Sequence, residues 1–247
     1  MHIMLTNDDG IFAPGLLELS KAAVEAGHRV TIFAPDSQRS AASHSITLKR
    51  PLKPERVPYY GGIDAWAVHG TPADCTKLGL YLLRNDLPDM VISGINKGPN
   101  RGAATLYSGT VAAALEATIS GVPGLAVSLC AFRDEGYEHA AKLGIRTAEW
   151  AMRNPLPRGE IYNLNVPFGM KPLGVRAARL SKEFFFEPRY DEIDGGYVIA
   201  DLPDELPEEA DTDTMLTKAG YASLSILSWN LQADTAMADI GELNEGI

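Results

Sequence analysis

Short apolar runs alternate with segments of helical length over the first two-thirds of the chain, and this alternation restricts the fold more than any other feature. The strand-like runs are Ile3–Thr6, Arg29–Ala34, Asp89–Ser93, Leu125–Leu129 and Ile161–Val166. Helical spacing of apolar residues is seen at 16–26, 111–119 and 138–152. Continuous apolar strands separated by helices are typical of parallel strands covered on both faces. We therefore expect an α/β fold with a doubly wound, Rossmann-like, mostly parallel sheet.

The pattern changes after about residue 170. Three further strand-like runs have no helical pattern between them, at Val175–Leu180, Gly196–Ala200 and Ala222–Ser228. The acidic segment 201–213 contains two prolines and indicates a solvated loop, and Phe184–Phe186 with Tyr190 add an aromatic cluster suited to a core, a subunit interface or base stacking. We predict an α/β catalytic core over 1–172 and a β-rich extension over 173–247. The extension is expected to act as an oligomerisation arm, with folding back onto its own subunit as the alternative.

Charge and composition restrict the partners. The chain has 22 basic and 32 acidic residues, a formal charge of −10, and a pI near 5.0. Such a surface repels long nucleic acid, although one local cation or helix N-terminus can still bind a small phosphorylated substrate. The N-terminal segment has no signal-peptide pattern and no apolar run reaches membrane-spanning length, so we expect a cytoplasmic protein without a membrane partner. Cys75 and Cys130 form no CxxC pair and indicate reduced thiols.

Two adjacent carboxylates follow the first predicted strand, in Asn7-Asp8-Asp9-Gly10. Open α/β sheets bind ligands at the carboxyl ends of their strands. Neighbouring carboxylates repel each other and are costly to desolvate, and a bound cation would offset both effects. The alternative is a plain turn, for which Asn, Asp and Gly are the usual residues. An acidic turn in place of G-x-G-x-x-G argues against a dinucleotide site, and the P-loop pattern is absent.

Further oxygen donors follow two other strands. Ser40 belongs to the segment after Arg29–Ala34, and Asn96 to the segment after Asp89–Ser93. If the strands are parallel neighbours, Asp8, Asp9, Ser40 and Asn96 converge on one edge of the sheet. Hard oxygen ligands suit Mg²⁺, Mn²⁺ or Ca²⁺ better than a thiolate-type zinc site.

Two helix starts lie in the remaining motifs. Ser108 is a good N-cap for the helix at 111–119, and Gly109 permits close approach of a ligand. The free N–H groups at this helix start are therefore a candidate phosphate site. The alternative is a plain helix cap. Lys97 and Arg101 in the preceding loop could add positive charge. Thr71-Pro72-Ala73-Asp74 is interpreted as a structural helix start, with a role in shaping the substrate pocket as the alternative. His44 is expected to be a solvated loop residue.

Together these motifs resemble the stationary-phase survival protein family, the SurE-type 5′-nucleotidases. The segments that carry the resemblance are TNDDGIFAPG (6–15), APDSQRS (34–40), SHSITLKRP (43–51), HGTPADC (69–75), VISGINKG (91–98) and YSGTV (107–111). The resemblance implies a metal-dependent phosphomonoesterase acting on nucleoside monophosphates, with metal ligands Asp8, Asp9, Ser40 and Asn96, and a homodimer or homotetramer. Ala41 and Pro99 depart from the family pattern.

The function expected from the sequence is hydrolysis of nucleoside 5′-monophosphates on one divalent cation per subunit, Mg²⁺ or Mn²⁺, with Ca²⁺ as an occupant in a crystal. Asp8 and Asp9 are the catalytic candidates, Asp8 orienting or deprotonating the attacking water or, as a variant, acting as nucleophile. The phosphoryl group is assigned to Asn96, Ser108, Gly109 and Thr110. The alternatives are a phosphatase of 3′-nucleotides, short polyphosphate or other phosphate monoesters, and a non-catalytic nucleotide-sensing protein.

Overall fold

The computed structural model describes residues 1–169, 171–182, 189–201 and 209–231 of the 247-residue chain. Within these residues a nine-stranded sheet forms the centre of the molecule, in the order β3-β4-β2-β1-β5-β6-β7-β11-β8. Its strands are β1 (His2–Thr6), β2 (Arg29–Pro35), β3 (Pro54–Val57), β4 (Asp64–Val68), β5 (Met90–Lys97), β6 (Gly124–Leu129), β7 (Glu160–Val166), β8 (Val175–Ala177) and β11 (Ala222–Ser228). A separate two-stranded antiparallel hairpin joins β9 (Arg189–Ile193) to β10 (Gly196–Asp201).

Helices cover both faces of this sheet. They are α1 (Pro14–Glu25), α2 (Pro72–Leu82), α3 (Gly109–Ile119), α4 (Glu138–Arg153) and α5 (Asp213–Lys218). Alternate residues of β1 show the two layers, because Ile3 and Leu5 belong to the core cluster that contains Leu16 of α1, whereas Met4 packs in the cluster that contains Cys75 of α2. Five adjacent strands of the sheet run parallel to one another: β2, β1, β5, β6 and β7. The predicted doubly wound, mostly parallel α/β sheet is confirmed.

The helices near the edge of the sheet begin where local chemistry favours a helix start. Thr71 and Asp74 form a reciprocal capping box at the N-terminus of α2, and Pro72 occupies the first turn. Ser108 caps α3 by accepting a hydrogen bond from the Val111 amide. The structural role predicted for Thr71 and Asp74 is therefore present. α4, the longest described helix, has 16 residues, and among the described residues no helix has both the length and the hydrophobicity of a membrane span.

The C-terminal third differs from the sequence-based expectation in three details. The predicted strand Val175–Leu180 is shorter, at Val175–Ala177. The prediction of no helix in this part is wrong, because Thr212 caps α5; its signal lies within an acidic segment whose overall composition favours a loop. Segment 201–213 is accordingly not all loop, since Asp201 ends β10 and Asp213 begins α5.

The last strands of the chain also join the main sheet. β11 pairs antiparallel with β7, and β8 pairs parallel with β11, so both fold back onto their own chain, which is the alternative the sequence left open. The β-rich character of the C-terminal region is confirmed. The division into domains at residue 172 stays a prediction. The cluster Phe184–Phe186 lies outside the described residues, whereas Tyr190 lies in β9 and is exposed.

Candidate active site

The carboxyl ends of three neighbouring strands carry the predicted site. β1 lies between β2 and β5, and all three strands are parallel. The segment after β2 approaches β1 through the Arg39 amide, which donates to the Asp8 carbonyl oxygen at 2.7 Å. From the other side, the Lys97 amide donates to Oδ2 of Asp9 at 3.0 Å. The segments that hold Asp8, Asp9, Ser40 and Asn96 therefore meet at one edge of the sheet.

The turn after β1 is shaped by its outer residues. Asn7 Nδ2 donates to the Gly10 carbonyl oxygen at 2.9 Å, and the Gly10 amide donates to Asn7 Oδ1 at 3.2 Å. Gly10 has φ +103°, and a Cβ there would lie 3.3 Å from the carbonyl carbon of Ser37, so glycine suits this position. Asn7 and Gly10 thus supply the turn chemistry. The side chains of Asp8 and Asp9 are not needed to close the turn.

Asp8 is a buried carboxylate held by the start of α3. Its side chain accepts a hydrogen bond from Thr110 Oγ1 to Oδ1 at 2.6 Å, and the residue is only 5% exposed. Burial raises the pKa of Asp8 to about 6, with the charge of Asp9 adding to this effect and the Thr110 hydrogen bonds opposing it. A carboxyl with this pKa is poised to exchange a proton near neutral pH.

Asp9 is partly buried, and its pKa also departs from the ordinary value of an aspartate. Burial raises its pKa, while the amide and the positive charge of Lys97 act in the opposite direction. Two adjacent carboxylates with raised pKa values mark a place where negative charge is costly, and a bound cation would remove that cost. The structure therefore supplies an electrostatic reason for a cation at this edge.

The chemistry of the donors fits a hard cation. Two carboxylates, one hydroxyl and one amide oxygen are the ligand types preferred by Mg²⁺ and Mn²⁺. Across the described parts of the chain, no group of three or more His, Cys, Asp or Glu side chains could hold a metal ion. A metal at this edge would therefore need neutral oxygen ligands in addition to Asp8 and Asp9.

Asn96 and Ser40 offer such oxygens in different settings. Asn96 lies within β5 rather than after it, because β5 continues to Lys97 through an irregularity in its pairing with β6. Its Nδ2 donates to the Gly98 carbonyl oxygen at 2.8 Å, which leaves Oδ1 for a ligand. Ser40 is exposed, and its Oγ accepts a hydrogen bond from Gln38 Nε2 at 2.8 Å.

The N-terminus of α3 packs directly against Asp8. A Cβ on Gly109 would lie 2.9 Å from both Asp8 Cβ and Pro72 Cγ, so only glycine allows this approach. Ser108 Oγ serves as the helix cap, and Thr110 directs its hydroxyl to Asp8. Of the predicted phosphate-binding residues, Thr110 therefore contacts Asp8, while Ser108 and Gly109 shape the backbone beside it.

The two cations expected near this helix start have other partners. Lys97 Nζ donates to Asp134 Oδ1 at 2.9 Å. Arg101 NH1 donates to Thr217 Oγ1 of α5 at 2.7 Å. The Arg101 side chain thus holds the loop before α3 against α5.

Segment 43–47 is hydrogen-bonded to α2 and α3, the two helices beside the site. The contacts involve Asp74 and His44, to which sequence analysis assigned other roles. Asp74 accepts hydrogen bonds from the Thr47 amide at 2.8 Å and the Thr47 hydroxyl at 2.6 Å, in addition to its capping role. His44 is paired with the buried Glu116 of α3 rather than simply solvated, with 3.1 Å between Nε2 and Oε2. Nothing in local spacing links residues 44 and 116, so this contact had no sequence signal.

Comparisons with known proteins find relatives over most of the chain. The family model described as Survival protein SurE matches residues 3–187. The 5′-nucleotidase SurE of Parasynechococcus marenigrum (strain WH8102) is 44% identical over 198 residues, covering 78% of this chain and 72% of the relative. The 5′-nucleotidase SurE of Synechococcus sp. (strain WH7803) is 40% identical over 242 residues, covering 91% and 89%. The crystal structure of the SurE protein from Aquifex aeolicus superposes with a TM-score of 0.82 at 32% identity, covering 94% of this chain and 95% of that one.

Proposed function

Since the chain belongs to the survival protein SurE family, we propose that it is a 5′-nucleotidase that hydrolyses nucleoside 5′-monophosphates to nucleoside and phosphate. The observation that carries the proposal is the adjacent pair Asp8 and Asp9 at the carboxyl edge of the parallel sheet, with Asp8 packed against the N-terminus of α3. A phosphate monoester needs positive potential for its oxygens and an oriented water for attack. This edge offers residues for both.

One divalent cation per subunit, Mg²⁺ or Mn²⁺, is part of the proposal. Asp8, Asp9, Ser40 and Asn96 would hold it, because the segments that carry them meet at one edge and burial raises the pKa of both Asp8 and Asp9. When bound, such a cation supplies charge neutralisation for phosphoryl oxygens and lowers the pKa of a water molecule.

Asp8 is the proposed general base. Thr110 Oγ1 fixes Oδ1, which orients the carboxylate, and Oδ2 faces the backbone of Gly109. Held in this way, the carboxylate can orient the attacking water and accept its proton. Thr110 acts on the reaction through Asp8.

The phosphoryl group is placed at the start of α3. Gly109 lets Asp8 pack closely against the first turn of α3, and the helix N-terminus favours an anion. Ser108 and the amide group of Asn96 complete this proposed contact set. Asp8 lies beside this proposed phosphate position, where its carboxylate can orient an attacking water.

A phosphate-release assay tests the activity. Treatment with EDTA should abolish release of phosphate from adenosine 5′-monophosphate, and added Mn²⁺ or Mg²⁺ should restore it. Parallel assays with a 3′-nucleotide and short polyphosphate separate the alternative substrates. Nucleotide binding without phosphate release under all metal conditions would instead support the nucleotide-sensing alternative.

A further inference from the structure

An exposed aromatic ring lies beside the candidate site. Phe132 follows β6, and its side chain is 76% exposed. One edge of the ring packs on Gly98: a Cβ at that position would lie 2.5 Å from Phe132 Cε1. The Gly98 carbonyl oxygen in turn accepts the hydrogen bond from Asn96 Nδ2. The ring is therefore separated from the Asn96 side chain by one glycine.

The loop that carries Phe132 is fixed relative to the two carboxylates. The Gly98 amide donates to the Leu129 carbonyl oxygen at 3.1 Å. Lys97 links this loop to the carboxylates. Its amide donates to Asp9, and its Nζ donates to Asp134, which lies two residues beyond Phe132. The position of the ring is thus set by contacts with the same residues that border the site.

The exposed ring offers a flat apolar face to a ligand of matching chemistry. Asp8, Asp9, Ser40, Asn96 and Ser108 are polar and suit a phosphate and its counterion, but they offer no apolar surface to a base. In a nucleoside monophosphate only the ribose separates the phosphate from a flat aromatic base. A phenyl ring stacks on any base, because every base has a π-face, and it carries no donor or acceptor that would read base identity.

We propose that Phe132 is the stacking platform for the nucleobase of the substrate. This inference rests on the proposed function and adds a residue that favours nucleotides over phosphate monoesters lacking a base. Since stacking alone distinguishes bases weakly, the preference among the four bases at this contact is small.

The test compares adenosine 5′-monophosphate with ribose 5-phosphate, which lacks the base. In Phe132→Ala the ratio of kcat/KM for the nucleotide to kcat/KM for ribose 5-phosphate should fall roughly ten-fold, and Phe132→Trp should restore it. Phe12→Ala is the matched control, because Phe12 is a second exposed aromatic, 68% exposed, that lines a separate groove with Leu17 and Tyr60. The control should leave the ratio unchanged.

Failure of the inference and failure of the proposed function give different results. An active enzyme whose substrate ratio is the same in Phe132→Ala and wild type would overturn the stacking role alone. Absence of turnover in the wild type would overturn the proposed activity, and calorimetric titration with adenosine 5′-monophosphate then decides the stacking role. Affinity equal in wild type and Phe132→Ala overturns it, and affinity reduced roughly ten-fold in the variant supports it.

Discussion

At the scale of single residues, Asp8 and Asp9 differ although they are neighbours in the chain. Asp8 is buried and receives the Thr110 hydroxyl, whereas Asp9 is less buried and receives the Lys97 amide. Both contacts come from residues far away in sequence. Each carboxylate is therefore oriented by a different element.

Replacing Asp9 by Asn should abolish most metal binding and activity while the fold is kept. The Asn side-chain oxygen can still accept from the Lys97 amide, but the negative charge is lost. We expect metal affinity measured by calorimetry to fall by at least about ten-fold, the order of loss known for changes around metal ligands, with a parallel loss of phosphate release. Asp64→Asn is the control, because Asp64 is an exposed carboxylate on β4 paired with Arg56. Full activity in Asp9→Asn, or equally in Asp8→Asn, would contradict the proposed site.

At the scale of elements, the buried Glu116 joins α3 to two other parts of the chain. It accepts hydrogen bonds from Lys77 Nζ of α2 at 2.6 Å and pairs with His44. Burial by itself would raise the pKa of Glu116, but these hydrogen bonds and the charge of Lys77 outweigh burial and hold the pKa below the ordinary value of 4.5. The charged Glu116 carboxylate thus links α2 and α3, the helices beside the site.

The direction of this pKa shift sets a pH dependence of stability. A carboxyl whose pKa is lower in the folded chain stabilises the fold above its unfolded pKa, and this contribution is lost as pH falls through the folded pKa. We expect Glu116→Gln to reduce the free energy of unfolding by roughly 1–3 kcal/mol at neutral pH. The difference from wild type should shrink as the pH falls below 4.5, as measured by urea denaturation at a series of pH values.

The matched control for this experiment is Glu18→Gln. Glu18 pairs with Lys21 within α1, where the more exposed ion pair contributes less. Its loss should cost no more than about 0.5 kcal/mol. A Glu116→Gln deficit that does not change between neutral and acidic pH would show that packing, and not the charge, holds these elements together.

At the scale of the whole molecule, the hairpin β9–β10 stands apart from the main sheet. Tyr190, Tyr197 and Ile199 share one face of it by their register, and all three are exposed, Tyr197 at 71%. A two-stranded hairpin with an exposed apolar face is marginally stable alone. We propose that a second copy of the chain covers this face in a homodimer or homotetramer.

Light scattering coupled to gel filtration should give a mass of at least two 26.6-kDa chains. The paired change Tyr197→Asp and Ile199→Asp should convert the protein to monomer while the metal site is retained. Leu87→Asp is the control, an exposed apolar residue on the loop before β5. A wild-type monomer at micromolar concentration would contradict the proposal. Truncation at residue 172 is unsuited to this test, because it removes β11 from its pairing with β7.

Local chemistry in the sequence was sufficient to predict much of the architecture. Apolar runs and helical spacing identified β1, β2, β5, β6 and β7 and the helices between them, because burial on both faces imposes a continuous apolar pattern. The caps at Thr71 and Ser108 were visible because each cap is a contact between residues only three apart in sequence. The expectation that Asp8, Asp9, Ser40 and Asn96 share an edge followed from the general rule that parallel strands present their carboxyl ends together. The strand order itself came from the structure.

The sequence by itself determined the parallel core and the candidate oxygen donors, since periodicity and caps are encoded within a few residues. Only the tertiary structure decided the contacts between distant segments: Thr110 on Asp8, His44 on Glu116, and Phe132 on Gly98. The same holds for β11, which became an inner strand of the main sheet although its sequence is compatible with an extended arm. These pairings depend on which surfaces meet after the chain folds, and residues far apart in sequence carry no local pattern that specifies their contact.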